Sequence, residues 1–284
     1  MSQNGAVSLA YSPCPNDTYI FAAWTNGLLR DVPRVETVLD DVEALNEAAL
    51  AARYVLTKSS YGAAPLLLRD YRILRAGGAL GRGCGPLLVA RPLADGAARA
   101  LGTLSRAAVI AIPGKLTTAY LLLRLALGYE PDVRPMRFDA IVDAVASNEV
   151  DAGLIIHESR FTYARAGLIA VADLGAWWEQ ETGLPIPLGA ILVRRDVTGT
   201  CAAGLSAAIR KSLAFARNHE DAVAPYVRAH AFEMDEAVMR AHIALYVNEY
   251  SDDVAEDGVA AVHELLRRAA SAGLVRGDVT PEFL

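Results

Sequence analysis

From Val7 to Arg194, short β-favouring apolar runs alternate with segments of helical periodicity. This alternation most narrows what the chain can become, because repeated strand–helix–strand units bury their apolar faces only as parallel sheets flanked by helices. Strands are expected at Val7 to Tyr11, Val35 to Leu39, Tyr54 to Thr57, Arg72 to Arg75 and Leu87 to Arg91. A second set follows Arg91-Pro92, with strands at Ala108 to Ile112, Val133 to Arg137, Ala152 to Ile156 and Gly189 to Arg194. Helices are expected from Asn16 or Asp17 to Asn26, from Asp41 to Ala52, from Thr117 to Leu127, near Asp139 to Ser147 and around Leu174 to Thr182, with Gly27 and Gly128 as stops.

From Ala202 onward the pattern is helical throughout. A helical tail after two strand–helix sets suggests a chain that returns to pack on its first set. The expected organisation is therefore α/β with two lobes. Residues 1–91 and 192–284 form one lobe and residues 92–191 the other, joined by two crossing strands near Val89 to Arg91 and Ile191 to Arg194. Such a double hinge leaves an interlobe cleft, where small-molecule sites tend to sit.

Composition removes several function classes. The 284 residues are 53% hydrophobic and carry a net charge of −6, which argues against disorder and against a basic nucleic-acid groove. No apolar run reaches the ~18 residues of a membrane span. The first residues, Met1 to Ala6, lack the basic start and apolar run of a secretory signal. Cys14, Cys84 and Cys201 are far apart and form no CxxC or zinc spacing, which fits reduced thiols in the cytoplasm.

Four segments stand at strand ends, where helix N-termini offer free N–H groups to ligands. Ser12-Pro13-Cys14-Pro15-Asn16-Asp17-Thr18 follows the first strand, and Asn16 or Asp17 is either a helix cap or a cap that also touches substrate. Thr57-Lys58-Ser59-Ser60-Tyr61-Gly62 sets a cation beside two hydroxyls, a plausible carboxylate cradle in which the serines also suit capping. Pro113-Gly114-Lys115-Leu116-Thr117-Thr118-Ala119 is no phosphate loop, because Val109 replaces its first glycine and Leu116 its hydroxyl residue. A glycine turn into Thr117-Thr118 still suits a carboxylate or hydroxyl ligand. Finally, an apolar strand delivers His157, which alone reads as a hydrogen-bonded structural residue but, placed opposite the other three segments and with an ordinary pKa of about 6.5, suits a proton acceptor at neutral pH. Glu158 either orients it or caps the next helix. Weaker candidates are Arg82 in the glycine-rich loop Gly81 to Pro86, the histidines of the tail, His219, His230, His242 and His263, and the pair Trp177-Trp178.

Taken together, these segments resemble the 1,4-dihydroxy-6-naphthoate synthase family of the futalosine route to menaquinone. The likeness is carried by Ser12 to Thr18, Lys58 to Gly62, Gly81 to Pro86, Pro113 to Ala119, Ile156-His157-Glu158 and Gly183-Leu184-Pro185-Ile186-Pro187-Leu188-Gly189, in family order. It implies a type 2 periplasmic-binding-protein-like fold used inside the cell. It further implies conversion of cyclic dehypoxanthinyl futalosine to 1,4-dihydroxy-6-naphthoate with loss of a three-carbon fragment, without metal or organic cofactor. The histidine matching His157 is the proton acceptor in that family, and segments matching Lys58 to Ser60 and Thr117-Thr118 contact the carboxylated substrate. Two other readings share the scaffold: a non-catalytic solute-binding protein, and another small-acid lyase such as chorismate dehydratase.

Overall fold

A computed structural model describes residues 5–93, 100–232, 235–275 and 280–284. Met1 to Asn4, the start of the stretch read above for a secretory signal, lie outside them. Ten strands form two five-stranded sheets. The first sheet contains β1 (Val7–Tyr11), β2 (Val35–Leu39), β3 (Leu56–Ser60) and β4 (Tyr71–Gly81). The second contains β5 (Leu87–Ala90), β6 (Val109–Ile112), β7 (Asp132–Pro135), β8 (Ala152–Ile155) and β9 (Ile169–Asp173), after which β10 (Ile186–Arg194) returns to the first. The orders are β2-β1-β3-β10-β4 and β7-β6-β8-β5-β9. In both sheets the first three strands are parallel, and the next is antiparallel to its neighbours.

This topology corrects the expected crossings. β5 pairs with β8 and β9, so Val89 belongs to the second sheet, and β10 pairs with β3 and β4, so Ile191 belongs to the first. The chain changes sheets at residues 82–86 and again across 174–185, so the boundaries expected at 91/92 and 191/192 move toward the N-terminus. The apolar runs were visible in sequence, but which sheet a strand joins is fixed by its long-range partners. β9 was not anticipated, since Ile169–Asp173 is short and only partly buried.

The helical tail does return to the first sheet. Leu205, Ile209 and Leu213 of the helix Gly199–Asn218 pack with Ile20, Phe21 and Trp24 of the helix Pro15–Thr25 in one buried cluster. Trp24 N also donates to Ser212 Oγ at 3.2 Å. The chain end is drawn in as well, Leu284 N donating to the Ile73 carbonyl at 2.8 Å. None of the described helices is long and apolar enough to cross a membrane.

The two crossings touch each other. A Cβ on Gly85 would sit 2.2 Å from the amide nitrogen of Gly175, and one on Gly175 would sit 2.7 Å from the nitrogen of Gly85. The obstacle on both sides is backbone, so no rotamer change relieves it. Gly85→Ala is expected to destabilise the fold by roughly 2–3 kcal/mol. Denaturant unfolding within about 1 kcal/mol of the parent would show that the crossings can part freely.

Candidate active site

The carboxyl ends of β1, β3, β6 and β8 converge on one cavity between the sheets. Its empty space, solvent at the mouth included, is about 670 Å³. Asn16, Asp17, Lys58, Ser59, Ser60, Thr117, Thr118 and His157 all line it, joined by Ser12, Cys84, Leu188, Gly189 and Tyr246. The crossing at 82–86, through Cys84, thus contributes alongside the strand ends, together with Leu188 and Gly189 of β10 and Tyr246 of the helix Glu236–Tyr246.

Several local assignments change. The cap of the first helix is Cys14, with Pro15 at the first helical position and no side-chain cap, so Asn16 and Asp17 lie inside the first turn. β3 runs on to Ser60, which places Lys58, Ser59 and Ser60 in a fully buried strand rather than at a helix start. Ser60 stands before a short 3-10 turn but makes no side-chain cap.

Asp17 gathers the polar floor. Its carboxylate accepts from Lys58 Nζ at 2.7 Å, from Asn16 Nδ2 at 2.9 Å and from Ser12 Oγ at 2.9 Å. Lys58 and Asp17 are only 6% and 1% exposed, so each charge depends on the other for compensation. Lys58 is therefore not an uncommitted cation awaiting a carboxylate, as the cradle reading had it. Its ammonium neutralises Asp17.

The hydroxyls are likewise committed. Ser59 Oγ donates to Asn46 Oδ1 at 2.8 Å, while Asn46 Nδ2 donates to Ser60 Oγ at 3.1 Å. Thr117 Oγ1 donates to the Gly114 carbonyl and accepts from Tyr120 N, capping the helix Thr118–Leu127. Thr118 Oγ1 donates to the Leu188 carbonyl at 2.6 Å and accepts from Gly62 N at 2.9 Å, which ties the second sheet's helix to the first sheet. Ser59, Thr117 and Thr118 keep lone pairs for a guest but not their protons, whereas Ser60 Oγ only accepts in this network and keeps its proton to donate. The first amides of that helix, on Thr118 and Ala119, have no intrahelical acceptor and lie at the cavity wall, where they suit an anion.

Sequence reading missed Asn46 and Glu43. Both sit on the helix Val42–Leu50, and Glu43 accepts from Leu116 N at 3.0 Å across the cavity's edge. Burial pushes the Glu43 carboxyl up, an effect its backbone donors oppose. The signal available was a polar Asn46 on the same helical face as Leu45 and Ala49. Arg82 turns to the crossing segment, where its guanidinium donates to the Gly183 carbonyl at 3.0 Å. Trp178 is fully buried, and its indole donates to the Pro185 carbonyl.

His157 stands two residues beyond β8 in the left-handed region, with φ of 56°, which turns the chain sharply and aims the half-buried ring at the cavity. The ring meets Phe138 edge-on at 5.0 Å, and His242, fully buried, lies behind it at 6.2 Å. Burial lowers the His157 pKa to about 4, with Asp17 opposing and Lys58 reinforcing the shift. The imidazole is therefore neutral at physiological pH. Glu158 occupies the cap position of the short helix Ser159–Thr162 without a side-chain cap bond.

Removing one member of the buried pair exposes its worth. Asp17→Asn is expected to cost roughly 3–5 kcal/mol, because Lys58 would be left buried and uncompensated. Chemical unfolding checks this, and a loss below about 1 kcal/mol would mean that water reaches the pair.

Comparison with known proteins agrees with this architecture. The family model described as menaquinone biosynthesis matches residues 7–271. A 1,4-dihydroxy-6-naphtoate synthase of Thermus thermophilus is 49% identical over 280 residues, covering 98% of this chain and 99% of that protein. A crystal structure from Archaeoglobus fulgidus superposes with a TM-score of 0.87 at 37% identity, over 96% of this chain and 100% of that one. The periplasmic aliphatic sulphonate binding protein of Escherichia coli superposes with a TM-score of 0.66 at 13% identity, over 99% of this chain and 94% of that one, which shows the shared fold alone. The expected periplasmic-binding-protein-like fold is thus the observed one. With nearly its whole length matched, the chain belongs to the menaquinone biosynthesis family.

Proposed function

We propose that the protein is a 1,4-dihydroxy-6-naphthoate synthase, a cytoplasmic carbon–carbon lyase that converts cyclic dehypoxanthinyl futalosine without metal or organic cofactor. The observation that carries this reading is a neutral imidazole just beyond β8, facing a cavity whose walls come from both sheets. The named relative from Thermus thermophilus supports the same activity. Cys14, Cys84 and Cys201 are free thiols, in keeping with a reducing compartment.

The chemistry follows from the site. The substrate carboxylate is held by the helix-start amides of Thr118 and Ala119, with the hydroxyls of Ser59, Ser60, Thr117 and Thr118 accepting from the sugar-derived hydroxyls. Lys58 and Asn16 fix Asp17, and the three set the polarity of the floor. His157 takes a proton from the sugar-derived portion, the carbon–carbon bond breaks, and a three-carbon fragment leaves as the new ring becomes aromatic. The two sheets with their helices act as lobes that close on the guest, and closure aligns the reacting groups and excludes water. General-base help of this kind contributes roughly two to four powers of ten.

Mass spectrometry after incubation with the cyclic substrate is expected to show the naphthoate product. His157→Ala and His157→Asn are each expected to lower kcat at least about a hundredfold while leaving the unfolding midpoint close to the parent's. Near-normal kcat in either variant removes the base from the scheme. Tight binding without turnover points instead to a solute-binding protein, and turnover of chorismate to another lyase.

The lowered pKa has a second consequence. The unfolded imidazole takes its proton near 6.5 and the folded one only near about 4, so the folded state binds fewer protons between these values. Stability therefore falls as pH drops through that window, and the neutral base is fully present above it. The acid limb of kcat/KM is expected well below pH 6.5, and a limb at or above 6.5 would assign the titration to another group.

A further inference from the structure

We propose that Cys14, His157 and Glu158 form an inhibitory site for a thiophilic divalent cation, Zn2+ in the first instance, that staples the two sheets across the cavity. The thiol sulfur, an imidazole nitrogen and a carboxylate oxygen of these residues all lie within 4.8 Å of one another. In a tetrahedral zinc centre, ligand atoms bonded at 2.0–2.3 Å stand about 3.5 Å apart, so side-chain shifts of about 1 Å close the set. The ligand types favour zinc over magnesium or calcium, which prefer all-oxygen shells.

Charge and access support the same site. Cys14 and Glu158 are 1% and 5% exposed, and the neighbouring Asp17 charge is already matched by Lys58. A thiolate, a carboxylate and a neutral imidazole around a dication make a centre of zero net charge, which suits a buried position. The thiol proton passes to solvent as the sulfur–metal bond forms. His157 lines the open cavity, so an entering ion meets it first, and a water or a substrate oxygen can complete the fourth position.

The placement gives the site its consequence. Cys14 follows β1 of the first sheet, whereas His157 and Glu158 follow β8 of the second. A metal bound to all three holds the halves together and occupies the lone pair of His157. The cation thus blocks the base and the opening of the cavity at once. The inhibitory part rests on the role proposed for His157, whereas the binding site does not.

The test uses the full chain, freed of metal with a chelator. Equilibrium dialysis is expected to show one Zn2+ bound per chain. Co2+ in its place is expected to give the near-ultraviolet charge-transfer absorption of a thiolate ligand. Cys14→Ala and Glu158→Gln are each expected to weaken Zn2+ binding by on the order of tenfold or more. Cys14→Ala should also abolish the charge-transfer band. Cys201→Ser, altering an exposed thiol, should leave both unchanged. Zinc at the bound stoichiometry should suppress turnover, with activity restored by chelator. Absence of stoichiometric zinc, or parental affinity in either folded variant, overturns the site. If Cys14→Ala does not fold, Glu158→Gln carries the decision. Zinc binding that survives the tests alongside a protein inactive on the cyclic substrate would retain the metal site and reject the synthase reading.

Discussion

The site is organised around the buried ion pair between Asp17 and Lys58. Separated by 2.7 Å and almost wholly removed from water, the two charges compensate each other where neither would be tolerated alone. Their pairing fixes the first turn of one helix against the middle of β3, and it draws Ser12 and Asn16 into the same network. A neutralised floor also explains how a histidine can face this cavity without being forced to ionise. Burial dominates the His157 shift because the nearest full charges act on the ring in opposite directions.

A second constraint is that the polar groups from the two sheets are already joined at the cavity's edge. Glu43 holds the Leu116 amide, and Thr118 bridges Gly62 and Leu188. These bonds are made by groups that a guest would otherwise be thought to use. Recognition therefore falls to what is left over: the amides at a helix start, the lone pairs of committed hydroxyls, and the imidazole. Committed hydroxyls hold fixed directions, and fixed directions favour one orientation of a rigid ring system over many weak ones.

Much of this was legible in the chain. The strands Val7–Tyr11 and Val35–Leu39, the helix Leu174–Thr182, and the helix that runs from about Thr117 to its Gly128 stop follow from local periodicity and stop signals, which act over a few residues. The eight proposed contact residues share one cavity because strand ends in such sheets converge. What local pattern could not supply was pairing at a distance. The sheet joined by β5 and β10 depends on partners far along the chain, as does the tie between Asn46 and Ser59. Lys58 read as a free cation for the same reason, since its partner lies 41 positions earlier.

The way the chain passes between the sheets bears on how the molecule is made. Strands β5 to β9 are contiguous, so the second sheet is complete once residue 173 has left the ribosome. The first sheet lacks its inner member until Arg194 has emerged, because β10 inserts between β3 and β4. During synthesis the earlier-made strands must wait with unpaired edges while the later-made sheet closes, and unpaired edges are where chains stick to one another. Assembly thus runs against the order of translation, with the last strand acting as the keystone of the half that was begun first.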